Sequence, residues 1–118
     1  MKIVVGGAVE KQAVADLIKK IAGEKAEVLI MSDVQAAMAI KSKAADYYFG
    51  ACHTGGGGAL SMAIALLTKA KCATISMPGR PPKEEDVAHE VAEGKVAFGF
   101  TADHMNEAVP MILKHILA

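Results

Sequence analysis

The order in which apolar runs and helical segments follow one another constrains this chain more than any other feature. Lys2 to Val5, Ala26 to Met31, Tyr47 to Ala51, Cys72 to Met77 and Lys95 to Phe100 are short apolar runs that read as strands buried on both faces. Between them lie segments of helical character. From Val9 onward, Val14, Leu17, Ile18 and Ile21 fall on one helix face, with Gly23 placed to end it. Ser32-Asp33-Val34-Gln35 offers a capping box for a second helix running to about Lys43. Ala59 to Lys69 forms a third. A fourth follows Pro82, with Glu84, Glu85 and Asp86 at its positive end and Gly94 beyond it. The last starts near Asp103, and Pro110 should kink or delay it. Pro78-Gly79-Arg80-Pro81-Pro82 is the longest irregular connection, because its prolines exclude both helix and central strand.

Strands and helices in strict alternation require a parallel sheet with right-handed crossovers, here an open, doubly wound, three-layer α/β domain of about five strands. The expected order is the flavodoxin-like 2-1-3-4-5. A chain of 118 residues forms one such domain, residues 1–118, and is too short for two of ordinary size. With 53% hydrophobic and only 4% aromatic residues, the core must be built from Ala, Val, Ile, Leu and Met. Thirteen basic against thirteen acidic residues leave no net charge, which argues against nucleic-acid or membrane-surface partners. Ala59 to Leu67 is about half the length needed to cross a bilayer. Two cysteines and a strand-like start imply no disulfide framework and a cytoplasmic setting. Small-residue helices leave too little chain to cover both sheet faces, so a homo-oligomer is expected.

Ligands in doubly wound sheets bind beyond the carboxyl ends of the strands, at the switch point between the first and third. Two loops fall there, Gly6-Gly7-Ala8 and Cys52-His53-Thr54-Gly55-Gly56-Gly57-Gly58. Four consecutive glycines cost backbone entropy of roughly 0.5–1 kcal/mol each relative to alanine, so something must offset them. In one reading Gly55, Gly56, Gly57 and Gly58 free backbone N–H groups to converge on a phosphate or carboxylate at a helix start. In the other they allow a sharp turn and close helix–sheet approach, with nothing bound. The spacing fits neither the ATP-binding loop nor the dinucleotide fingerprint, and no cofactor is implied.

Cys52 stands where strand gives way to loop. Neighbouring N–H groups would stabilise its thiolate as a base or nucleophile; otherwise it is a small buried apolar residue, the role assigned to Cys72. His53 and Thr54 are either ligand donors or a surface imidazole and a turn hydroxyl. Ser61 can bond back to the preceding turn. Arg80, the only arginine, is either a bidentate anion ligand or solvated. His89, His104 and His115 lack partners at metal-ligand spacing, so no metal site is expected. Tyr47 and Tyr48 point to opposite sheet faces, one to the core and one to a neighbour.

Val4-Val5-Gly6-Gly7, Asp46-Tyr47-Tyr48-Phe49-Gly50-Ala51-Cys52, Thr54-Gly55 and Ala92-Glu93-Gly94-Lys95-Val96-Ala97-Phe98-Gly99 resemble the YhfU-like family of short bacterial proteins over nearly the whole chain, which brings no activity with it. Cys52, Thr54, Gly55 and Gly57 also match in place the loop of the ribose-5-phosphate isomerase B and galactose-6-phosphate isomerase family. That resemblance implies Cys52 as the base moving a proton between adjacent carbons, Thr54 assisting ring opening, and the loop stabilising an enediolate. It stops at His53 and Ala59, where that family has glycine and serine. Its Asp-His pair after the first strand is replaced by Gly6-Gly7-Ala8, and its phosphate-binding arginines have no counterpart beyond Arg80.

The sequence therefore points to binding of a small phosphorylated or carboxylated metabolite through the glycine loop. A sugar-phosphate isomerase with Cys52 as base, and a ligand-free structural subunit packing through Ala59 to Leu67, are the alternatives.

Overall fold

The computed structural model describes residues 1–53 and 56–118, with side chains of 56–59 excepted. Five strands, β1 (Lys2–Gly7), β2 (Glu27–Ile30), β3 (Tyr47–Cys52), β4 (Cys72–Thr74) and β5 (Ala97–Thr101), form one parallel sheet. Between and after them run α1 (Lys11–Ala22), α2 (Asp33–Lys41), α3 (Gly56–Leu67), α4 (Glu84–Ala92) and α5 (Met105–Ile116). The doubly wound α/β class is as the alternation requires.

The strand order is 2-1-3-5-4, not 2-1-3-4-5: β5 lies between β3 and β4. Burial explains the exchange. Every residue of β5 is buried, which suits an interior strand, whereas β4 has only three residues and exposes Thr74. The expected fourth strand is cut short for the same reason. Past Thr74 the chain makes one more ladder bond, Ile75 N–H to Gly99 O at 2.7 Å, and then turns. Met77 and Arg80 bond each other's backbone across Pro78-Gly79, with Gly79 at φ +73°, the pattern of a type II turn.

Alternation along the strands builds two cores. Ile3, Val5, Phe49, Phe98 and Phe100 pack with Val14, Ile18, Ile112 and Leu113 of α1 and α5. Val4, Tyr48, Cys72 and Ala97 pack with Ala36, Ile40, Leu60 and Ala63 of α2 and α3. Tyr48 is the buried tyrosine, while Tyr47 stacks on Phe98 with ring centroids 6.1 Å apart. On the α3 face a Cβ at Gly99 would lie 2.6 Å from Leu60 Cγ, so the bare backbone there lets α3 approach the sheet.

The capping box at Ser32 forms, its hydroxyl accepting from Gln35 N–H at 3.2 Å. Pro110 lies within α5, which runs on through it after a 3-10 turn at Ala102–His104. Among the described residues no helix is long and apolar enough to cross a membrane.

Candidate functional site

The carboxyl ends of the strands lie in register. Gly7 pairs with Ala51, Cys52 pairs with Thr101, and Ser76, two residues past β4, reaches Thr101. Helices α1 and α3 leave the adjacent strands β1 and β3 for opposite faces, which makes this edge the switch point of the sheet.

Cys52 ends β3 and is 3% exposed; neither cysteine is in a disulfide. His53 is exposed. Thr54 and Gly55 lie outside the described residues. Gly56, Gly57 and Gly58 are not free loop but the first residues of α3, three positions earlier than the apolar pattern suggests. Helix starts leave backbone N–H groups without intrahelical partners.

Gly6 and Gly7 are tied to their neighbours. A Cβ at Gly6 would lie 2.7 Å from Tyr48 Cε2, so its bareness makes room for the Tyr48 ring. Gly7, at φ +84°, donates its N–H to Asp33 Oδ1 at 2.7 Å. The Tyr48 hydroxyl donates to the same oxygen. Burial first, and then the Asp33 carboxylate, push the Tyr48 phenol well above the ordinary tyrosine range. The sequence marks Asp33 only as part of the capping box, because its partners come from strands 26 and 15 residues away.

Arg80 is exposed on the turn after β4, its guanidinium touching Met77 Sδ at 3.8 Å. It lines a cavity of about 630 Å³ with Ser76, Lys83, Asp86, His89 and Glu90, within the usual range for small-molecule sites. The structure thus sets Arg80 beside β4 and the glycines beyond β3, two strands away.

Sequence reasoning missed a second cluster on this edge. Thr101 N–H donates to Ser76 Oγ at 3.0 Å, the two hydroxyl oxygens are 3.1 Å apart, and Thr101 Oγ1 is 2.5 Å from His104 Nδ1. Ser76 and Thr101 are both buried, 3% and 1% exposed. The available signal was the polar Thr101 closing a wholly apolar strand.

Residues 1–116 match the family described as "Protein of unknown function DUF2620". The chain belongs to this family. Its DUF2620 membership agrees with the relatives called "Uncharacterized protein YhfU" in Escherichia coli K12 and Shigella flexneri. Each is 44% identical over 115 residues, covering 98% of this chain and 97% of the relative. The fold is shared with the crystal structure of ribose-5-phosphate isomerase B from Giardia lamblia, at TM-score 0.73 and 19% identity, covering 100% of this chain and 94% of that one. A Clostridium thermocellum ribose-5-phosphate isomerase B gives TM-score 0.73 at 18% identity, covering 100% and 85%. At these identities the likeness is one of fold.

Proposed function

We propose that this protein binds a small phosphorylated or carboxylated metabolite through its Gly-rich strand-to-helix segment, with Gly55 to Gly58 supplying backbone N–H groups and His53, Thr54 and Arg80 supplying side-chain donors. The observation that carries this reading is the start of α3 at Gly56, immediately beyond the end of β3 and beside β1. In a helix start the first N–H groups lack intrahelical partners and, with the positive end of the dipole, suit an anion. In this reading Gly6 and Gly7, at the end of the adjacent strand β1, border the same edge of the sheet. The solved isomerases of this fold act on a sugar phosphate, a ligand of the same chemical class.

A second reading makes the site catalytic, a sugar-phosphate isomerase with Cys52 as base and the glycine N–H groups holding oxyanion charge. The register of Cys52 with Thr101, which carries a histidine on its hydroxyl, favours it.

The test is a thermal-shift screen of the wild type and Gly56→Val against inorganic phosphate, pentose and hexose phosphates, and small carboxylates. A ligand at a hundred times its dissociation constant adds about 2.7 kcal/mol, a clear rise in Tm that Gly56→Val should abolish. No shift with any of them would remove the anion-binding reading. If a sugar phosphate binds, Cys52→Ala separates the two: unchanged binding with lost turnover supports the enzyme, and no turnover in the wild type removes it.

The protein acts in the cytoplasm as a homo-oligomer in this reading. Met62 and Ile64 on α3 are 41% and 37% exposed, and α3 carries no charged residue, as suits a helix that meets another copy.

A further inference from the structure

Buried hydroxyls need a reason, because each must find partners away from water. Ser76 and Thr101 find theirs in each other and in His104. Their hydrogens can be assigned by counting donors. Thr101 N–H already occupies Ser76 Oγ as a donor, which leaves two hydroxyl protons to place. Both are used only if Ser76 donates to Thr101 Oγ1 and Thr101 donates to His104 Nδ1. In the opposite direction, His104 donates to Thr101 and Thr101 to Ser76, and the Ser76 proton has only solvent in the cavity that Ser76 lines to accept it, so the first arrangement is the one that the protein's own described groups complete. Asp103 Oδ1, at 3.6 Å from Nδ1 and exposed, is beyond hydrogen-bond reach.

The first arrangement makes Nδ1 an acceptor and puts the imidazole proton on Nε2, where no described residue takes it. The imidazole is 13% exposed, so it keeps access to solvent. It is also held at the right edge of the sheet. Thr101 is the register partner of Cys52, one inter-strand spacing of about 4.8 Å away, and Ser76 lines the cavity that contains Arg80. The network therefore occupies the stretch between the glycine segment and that cavity.

We propose that His104 is a ligand-contacting residue of this site, presenting a fixed Nε2–H to a carbonyl or hydroxyl oxygen of the bound metabolite. Thr101 and Ser76 are its positioning residues. The assignment rests on the anion-binding reading above and adds to it the group that recognises the non-anionic end of the ligand.

Two measurements test it. Long-range ¹H–¹⁵N spectra of the labelled wild type, with His104 assigned by its loss in His104→Gln, should show the Nε2–H tautomer, and Thr101→Val should turn it into a mixture. The opposite tautomer in the wild type overturns the assignment whatever binds. Titration calorimetry then compares inorganic phosphate with ribose 5-phosphate. His104→Gln should weaken ribose 5-phosphate roughly tenfold, as expected for one hydrogen bond to a polar ligand group, and leave phosphate unchanged. Equal affinity of wild type and variant for ribose 5-phosphate, or equal losses for both ligands, overturns the His104 role while the glycine segment keeps its own. A wild type that binds neither removes the anion-binding reading and this one with it.

Discussion

Tyr48 and Asp33 are joined by a hydrogen bond from the phenol to the carboxylate, on the face of the sheet that α2 covers. The same carboxylate oxygen accepts the N–H of Gly7, so one side chain at the start of α2 fixes the ends of both β1 and the ring on β3. Tyr48→Phe keeps the packing and removes one of the two donors. It should cost about 1–3 kcal/mol in urea denaturation at pH 7, a hydrogen bond to a charged group being at the upper end of the usual range. A loss of only a few tenths would mean that water replaces the phenol.

The same pair sets an alkaline limit. The Tyr48 phenol is raised in the folded state, by burial and then by Asp33, above the unfolded value of about 10. A group whose folded pKa is raised contributes stability that is complete below the unfolded pKa and is lost as pH rises past it. Cys72, also raised by burial, adds a decline that begins near its unfolded value of 9.0. Urea midpoints should therefore fall above pH 9, and Tyr48→Phe should flatten the part of the curve above pH 10. An unchanged slope in that variant would count against a Tyr48 contribution.

Gly99 and Gly7 are constrained differently, and mutation should separate them. Gly99→Ala drives a methyl group against Leu60 Cγ and should cost about 1–3 kcal/mol. Leu60→Ala in the same chain opens the space, so the double variant should lose less than the sum of the two singles. At Gly7 a Cβ would meet the Ala51 backbone N and O at 2.7 Å, with φ at +84°. Gly7→Ala should cost at least about 2 kcal/mol, and no side-chain truncation nearby should rescue it.

Association through α3 predicts a change of mass. Met62→Lys and Ile64→Lys place charges at two exposed apolar positions of α3, on either side of the buried Ala63. Sedimentation equilibrium should show a lower mass for the double variant than for the wild type, with the same circular dichroism spectrum. Equal masses would remove α3 as the contact.

Much of this fold is legible in the chain because buried parallel strands are nearly continuous apolar runs and helices repeat on one face, as Ile3-Val4-Val5 and Val14 to Ile18 illustrate. Strand order is not written that way. Cys72-Ala73-Thr74 and Ala97-Phe98-Gly99 look alike as patterns, and only the burial of Thr101 against the exposure of Thr74 tells interior from edge. The candidate site is legible where residues are neighbours in sequence, as in Cys52 to Gly58. It is opaque where they meet through the fold. Ser76 and Thr101 are 25 residues apart, and in sequence each resembles an ordinary strand-end hydroxyl. His104 gains its place from Thr101 three residues before it, which the sequence does not mark as its partner.

The brevity of the outer strands has a consequence for how copies of this protein can meet. With β4 three residues long and β2 four, and with Pro78 soon after β4, neither border of the sheet presents a row of unpaired amides long enough to template another strand. Growth by adding strands side by side, one route to open-ended fibres, is disfavoured at both borders, which leaves the helices and loops as the surfaces through which copies would have to meet.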